Sequence, residues 1–81
     1  MASWWVEYSL EAATYLEDNG ELVAPLFFAM EALPTHPLFQ QQLIPMAATG
    51  IFMIELEGHR VYFRRNDEKR RVTIEAMRPM G

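Results

Sequence analysis

The chain has 81 residues, 51% of them hydrophobic, with no Cys and a formal net charge of −4. That length suits one domain, 1–81, burying roughly 60–65% of its unfolded surface and leaving no room for a deep multi-layer active site. The missing cysteines exclude disulfides, thiolate nucleophiles and Cys-ligated metals, and they suit a reducing cytoplasm.

The charge is unevenly spread. All seven Lys and Arg lie between Arg60 and Arg78, so residues 1–59 carry −8 and residues 60–81 carry +4. A confined cationic pole on an anionic molecule can steer a polyanion that uniform acidity would repel, although the same charges also serve to solvate one face of a sheet. The opening Met1-Ala2-Ser3-Trp4 has no basic flank or cleavage site, so no secretory signal is expected. The longest apolar run, Leu22 to Met30, is broken by Pro25. It falls well short of the ~20 residues that span a bilayer, so no membrane partner is expected.

Trp4 to Tyr8 reads as a short strand with Trp4, Val6 and Tyr8 on its buried face. Ser9 is placed to cap a helix from Leu10 to about Asp18, with Glu11 in its first turn and Gly20 as its stop. A second helix is expected from Glu21 to Leu33, with Leu22, Leu26, Met30 and Leu33 on one apolar face and Pro34 ending it. Pro25 fits either its first turn or a kink. Val23, Phe27 and Phe28 make this helix apolar nearly all round. It would then be buried on two sides or offer a partner surface, a homodimer contact included. Thr35 to Thr49, with Pro37 and Pro45, reads as a loop holding at most one helical turn.

From Gly50 the period becomes two. Strands are expected at Ile51–Leu56, His59–Arg65 and Arg70–Met77, joined by a Glu57-Gly58 turn and an Asn66–Lys69 loop. The first turn pairs Leu56 with His59 and Glu55 with Arg60. The second pairs Arg65 with Arg70, Phe63 with Val72 and Arg60 with Glu75. One face then holds Phe52, Ile54, Leu56, Val61, Phe63, Val72, Ile74 and Ala76. The other holds Met53, Glu55, Arg60, Tyr62, Arg64, Arg71, Thr73, Glu75 and Met77. In this register Arg60 lies between Glu55 and Glu75. Such an ion triad, worth roughly 0.2–1 kcal/mol per pair, would account for Arg60 without any substrate.

The opening WVEYSLEAATYL, the helical pair and the final GIFMIELEGHRVYFRRNDEKRRVTIEAMR resemble the RelE/ParE superfamily of toxins from type II toxin–antitoxin modules. The most specific part is His59-Arg60-Val61-Tyr62-Phe63 after a short turn. The resemblance implies an α+β fold: an N-terminal strand, a two-helix hairpin, then a three-stranded antiparallel meander packed on the helices. It also implies a cognate antitoxin as partner. In the ribonuclease branch, which cuts messenger RNA on the ribosome, a 2′-hydroxyl attacks the adjacent phosphate. That step needs a base, an acid and cations to hold the developing charge.

Arg60 aligns with the family's phosphate-binding arginine and Arg78 with a second basic residue. Arg64, Arg71 and Tyr62 would complete an RNA-contacting face. Glu55 and Glu75 are the carboxylates nearest the chemistry, yet carboxylates beside an arginine are weak proton acceptors at neutral pH. Where some members carry lysines on the first strand of the meander this chain has Met53 and Glu55, and in place of a terminal His or Tyr it has Met80. The acid/base set is thus incomplete. That departure fits equally the ParE branch, whose toxins inhibit DNA gyrase by a protein contact, or a catalytically inactive interaction module.

Other chemistry has less support. His36 and His59 lack a third ligand at metal spacing, so no metal site is expected, and the four glycines form no phosphate loop, so no cofactor is implied. His59, next to Arg60 on the turn side, should lie at the rim or on the opposite face. Trp5 should point away from Trp4, covering the sheet edge, contacting a partner or stacking on a base.

Overall fold

The computed structural model describes residues 3–40 and 50–81. Strand β1 (Trp5–Tyr8) leads into helix α1 (Leu10–Asn19), a 3₁₀ turn (Gly20–Val23) and helix α2 (Ala24–Glu31). A second 3₁₀ turn (Leu33–Thr35) and the one-turn helix α3 (Pro37–Gln40) follow. Strands β2 (Phe52–Leu56), β3 (His59–Asn66) and β4 (Arg71–Pro79) complete a four-stranded sheet of order β1-β4-β3-β2, antiparallel except for the β1/β4 pair. This is the expected α+β architecture. The rest of the expected loop, 41–49, lies outside the described residues. Among the described residues no helix is long and apolar enough to cross a membrane.

The helix boundaries follow from local chemistry. Ser9 Oγ accepts the Ala12 N–H at 3.1 Å, filling one of the donors that a helix start leaves open. Gly20 ends α1 at φ 47°, ψ −125°, a region closed to residues with a Cβ. Pro25 sits in the first turn of α2, where its missing N–H breaks no bond, so the helix starts at Ala24 and is not kinked. The late start changes the phase. Leu22, expected in the buried face, is 88% exposed, and Val23 takes its place in the core. The α-helix also stops earlier than expected, at Glu31.

The first hairpin has the expected register throughout, from Phe52 opposite Phe63 to Leu56 opposite His59. Glu57 and Gly58 both take positive φ, 46° and 72°, the tight turn whose twist matches the strands it joins. The second hairpin departs from expectation twice. Its loop is Asp67–Arg70, with Arg70 at φ 53° and Asn66 Oδ1 accepting the Lys69 N–H at 2.9 Å. Phe63 therefore faces Ile74 instead of Val72, an even shift that leaves both faces intact. Then an extra residue, Glu75, bulges from β4 between Phe63↔Ile74 and Tyr62↔Ala76. Beyond the bulge the alternation inverts. Met77, expected on the open face, is buried, and Ala76, expected in the core, turns outward.

The helices cover one side of the sheet. Val61, Phe63, Val72 and Ile74 are fully buried there with Leu26, Met30, Leu33 and Ala12. Trp4, Phe39, Phe63 and Phe52 form a chain of ring contacts at centroid separations of 5.1 to 5.8 Å. Phe39, on the one turn of helix in the expected loop, is thus a central core residue.

Arg65 faces the same side and closes the end of this cluster. Its guanidinium lies 3.9 Å from the Phe39 ring centroid and 5.4 Å from that of Trp4, donates to the Phe39 carbonyl at 2.6 Å, and pairs with Asp67 at 2.7 Å. A planar cation can stack on rings and fork between acceptors in this way. Not every arginine of the meander therefore belongs to the open face.

Candidate nucleic-acid interface

The uncovered side of the sheet is built by alternation. Because Val61 and Phe63 point to the helices, Arg60, Tyr62 and Arg64 of β3 point away from them. Across the sheet the register sets Glu55, Arg60 and Arg78 in one row, and Met53, Tyr62 and Ala76 in the next. Arg64 and Thr73 follow with Glu7 of β1, then Asn66, Arg71 and Trp5. Trp5 is 66% exposed and points away from Trp4, as its place in the strand requires.

The bulge decides the electrostatics. The expected triad of Glu55, Arg60 and Glu75 does not form, because Glu75 is the bulged residue with no partner on β3 and Arg60 faces Arg78 instead. Two guanidinium side chains on directly opposed residues repel one another and are stabilised by any anion placed between them. Among the described residues Arg60 makes no ion pair, while Arg78 reaches Glu11 of α1 at 3.5 Å. Both Arg78 and Glu11 are more than 60% exposed, so this pair is a weak competitor for a phosphate. Arg71 pairs with Glu7 of β1 at 2.9 Å, which ties it to the sheet edge.

The expected site residues Arg60, Arg78, Glu55, Tyr62, Arg64 and Arg71 thus share one face, and Glu75 lies in the bulge without a partner on β3. Its backbone carbonyl accepts a 2.6 Å hydrogen bond from Ser9 Oγ. Sequence reasoning missed the Arg60–Arg78 pair. The available signal was the apolar spacing Val72, Ile74, Met77, in which one step of three interrupts a period of two.

His59 lies on the helix side. Its Nδ1 donates to the Glu57 carbonyl at 2.9 Å, so in the neutral ring Nε2 accepts from the Tyr15 hydroxyl at 3.0 Å. Both nitrogens are engaged in joining α1 to the turn, away from the arginine row. His36 accepts the Leu38 N–H at the start of α3. Among the described residues no three His, Asp or Glu converge as metal ligands. Among the described residues the groups beside the arginine pair able to carry a proton include Glu55, Tyr62 and, at Arg78, Glu11 of α1.

The fold defines a class: a small antiparallel sheet with a parallel N-terminal edge strand and a helical hairpin on one side, the architecture of RelE-type toxins. Solved structures that share it include three that show the range of the likeness. The archaeal RelE–RelB complex from Pyrococcus horikoshii matches with a TM-score of 0.72 at 15% identity, over 99% of this chain and 98% of that one. The RelBE2 toxin–antitoxin complex from Mycobacterium tuberculosis matches with a TM-score of 0.66 at 18% identity, over 96% of this chain and 99% of that one. The isolated RelE toxin of E. coli matches with a TM-score of 0.66 at 18% identity, over 98% of this chain and 86% of that one. No protein-family model and no curated protein matches the sequence.

Proposed function

We propose that this chain is the toxin of a type II toxin–antitoxin pair, acting as a RelE-like, ribosome-associated messenger RNA interferase with an incomplete acid/base set. The observation that carries the reading is the row of opposed arginines, Arg60 and Arg78, on the open face of a RelE-type sheet. A scissile phosphate between them would have its non-bridging oxygens held by two guanidinium groups. As the 2′-oxygen bonds to phosphorus and loses its proton, the bond to the leaving oxygen breaks and that oxygen gains one. The arginines stabilise the charge that builds on phosphorus's other oxygens. Tyr62 offers a ring for stacking, and Arg64 and Arg71 extend the cationic track along the backbone. Two of the similar structures are complexes with RelB, which supports an antitoxin as partner.

Expression without an antitoxin should arrest translation and leave cleaved transcripts, and Arg60→Ala should abolish both while the fold persists. Arrest with intact transcripts would remove the nuclease reading. RNA affinity should fall with salt at a slope of about −0.7 per phosphate contacted.

A second reading rests on Met53 and Glu55. With an apolar residue and a carboxylate beside Arg60, and no lysine on β2, the face suits a protein contact such as DNA gyrase or an acidic antitoxin segment. A supercoiling assay with purified protein separates gyrase inhibition from sequestration.

A further inference from the structure

The bulge that sets Arg60 opposite Arg78 also brings a carboxylate from outside the sheet to the end of their row. Strand β1 ends at Tyr8, opposite Ile74, so past that point helix α1 borders the outer edge of β4. Glu11, in the first turn of α1, reaches Arg78 there, Oε2 to Nη2 at 3.5 Å. Across the sheet the order is Glu55, Arg60, Arg78, Glu11: two guanidinium groups with a carboxylate on each flank. Neighbouring strands lie ~4.8 Å apart, so about 10 Å of sheet separates Glu55 from Arg78.

In-line displacement at phosphorus puts the attacking and leaving oxygens on opposite sides of the phosphate. A phosphate held between Arg60 and Arg78 therefore needs its proton acceptor on one flank of the pair and its proton donor on the other, where the row has its two carboxyl groups. A phosphate oxygen bound to the same Arg78 nitrogen would sit about 2.8 Å from it, and so within about 6 Å of the Glu11 carboxylate. That is hydrogen-bond reach of the adjacent 2′-hydroxyl, directly or through one water.

Neighbouring groups do not compete for this place. Between α1 and the end of β4 lies a cleft of about 570 Å³, whose other ionisable lining groups are Tyr15, Asp18 and Arg78. The Tyr15 hydroxyl is bonded to His59, and Asp18 lies about 10 Å further along α1. The cleft leaves space for a ribose beside Glu11.

We infer that Glu11 is the general base of the cleavage, the member of the acid/base set that the sheet itself lacks. The assignment rests on the nuclease reading proposed above. The Glu11 carboxylate takes the 2′-hydroxyl proton as the 2′-oxygen bonds to phosphorus. The bond from phosphorus to the 5′-oxygen breaks, and that oxygen takes a proton from the Glu55 carboxyl on the opposite flank. The products are a 2′,3′-cyclic phosphate and a 5′-hydroxyl. Glu11 gains the proton that Glu55 loses in net count, so no co-reactant enters.

The test follows single-turnover cleavage by the full chain on ribosomes programmed with a short messenger RNA. Binding is measured separately on the same RNA with a 2′-deoxy sugar at the cleaved position. Glu11→Gln keeps a side-chain oxygen for Arg78 but is no proton acceptor. Its rate at saturation should fall at least about 100-fold, with Kd within about twofold of the wild type and an unchanged Tm. The wild-type rate should rise with pH along an acid limb that Glu11→Gln lacks, and Glu11→Asp should recover part of the rate and the limb. Arg78→Ala should weaken binding as well as cleavage. Cleavage by Glu11→Gln within about threefold of the wild type, a defect confined to binding, or an acid limb that persists in Glu11→Gln would overturn the assignment and leave the nuclease reading standing. Intact RNA with the wild-type chain would instead remove the nuclease reading, and the assignment with it.

Discussion

Replacing Ser9 with alanine should cost the protein about 2 kcal/mol, far more than a half-buried serine usually commands. The Ser9 hydroxyl works in two directions. Its oxygen accepts the Ala12 N–H at 3.1 Å, and its proton goes to the Glu75 carbonyl at 2.6 Å, the bulged residue of β4. Loss of an N-cap costs about 1 kcal/mol. An unpaired buried carbonyl costs about 1–3 kcal/mol, and because this site is only part-buried the lower end applies. The sum of about 2 kcal/mol corresponds to a fall of about 8–16 °C in Tm for a domain of this size.

Ser9→Asp separates the two roles: a carboxylate still accepts from Ala12 and suits a helix N-terminus, but has no proton for Glu75. It should recover no more than about 1 kcal/mol of the loss. Urea unfolding of the three proteins measures both quantities. A Ser9→Ala loss below about 0.5 kcal/mol, or full recovery by Ser9→Asp, would refute the double role and with it the account of what holds the bulge.

Arg65→Lys should lose about 1–2 kcal/mol in the same assay, because an ammonium cannot both stack on Phe39 and reach its carbonyl; wild-type stability would refute this. Phe63→Ala empties the centre of the aromatic chain and should cost about 3–5 kcal/mol, enough to leave the variant largely unfolded at 37 °C by circular dichroism. Burial, and then the Glu31 carboxylate that its hydroxyl contacts, raise the Tyr8 pKa above the ordinary value of 10.0. The neutral phenol therefore stabilises the fold below pH 10, and that contribution is lost as pH climbs above it towards the folded-state value. Between pH 9 and 11 the Tm of the wild type should fall more steeply than that of Tyr8→Phe. Arg60→Ala and Arg78→Ala should each leave Tm unchanged or slightly higher, since each relieves a like-charge contact; a fall of several degrees would mean the pair is structural.

The parts of the fold legible in the sequence are those fixed over short distances. Glu57-Gly58 admits one kind of turn, and that turn alone sets five pairs of the first hairpin. Ser9 and Gly20 mark α1 because each fills a role few other residues fill. The second hairpin was less legible because a four-residue loop allows more than one register, and both registers bury the same face. The bulge was hidden for another reason. It depends on a hydroxyl that arrives from Ser9, 66 residues earlier in the chain, which no local pattern records. Of the candidate site, the open-face places of Glu55, Arg60, Tyr62, Arg64 and Arg71 were readable from alternation, while Met77 was misplaced, Glu75 lost its expected partner and Arg78 comes opposite Arg60 only through the bulge. What faces Arg60 was not readable, since that depends on the extra residue in β4. Leu22 and Arg65 show the remaining limits: a helix phase that moved with Pro25, and a cation whose rings and carbonyl come from Trp4 and Phe39.

The parallel pairing of β1 with β4 has a consequence for how the protein is made. Its first strand hydrogen-bonds to its last, so the chain leaving a ribosome at ~5–20 residues per second has no partner for β1 until the C-terminal strand has cleared the exit tunnel. Completion of the sheet therefore waits for β4, and the cationic face is assembled only once every strand that carries it is outside the ribosome.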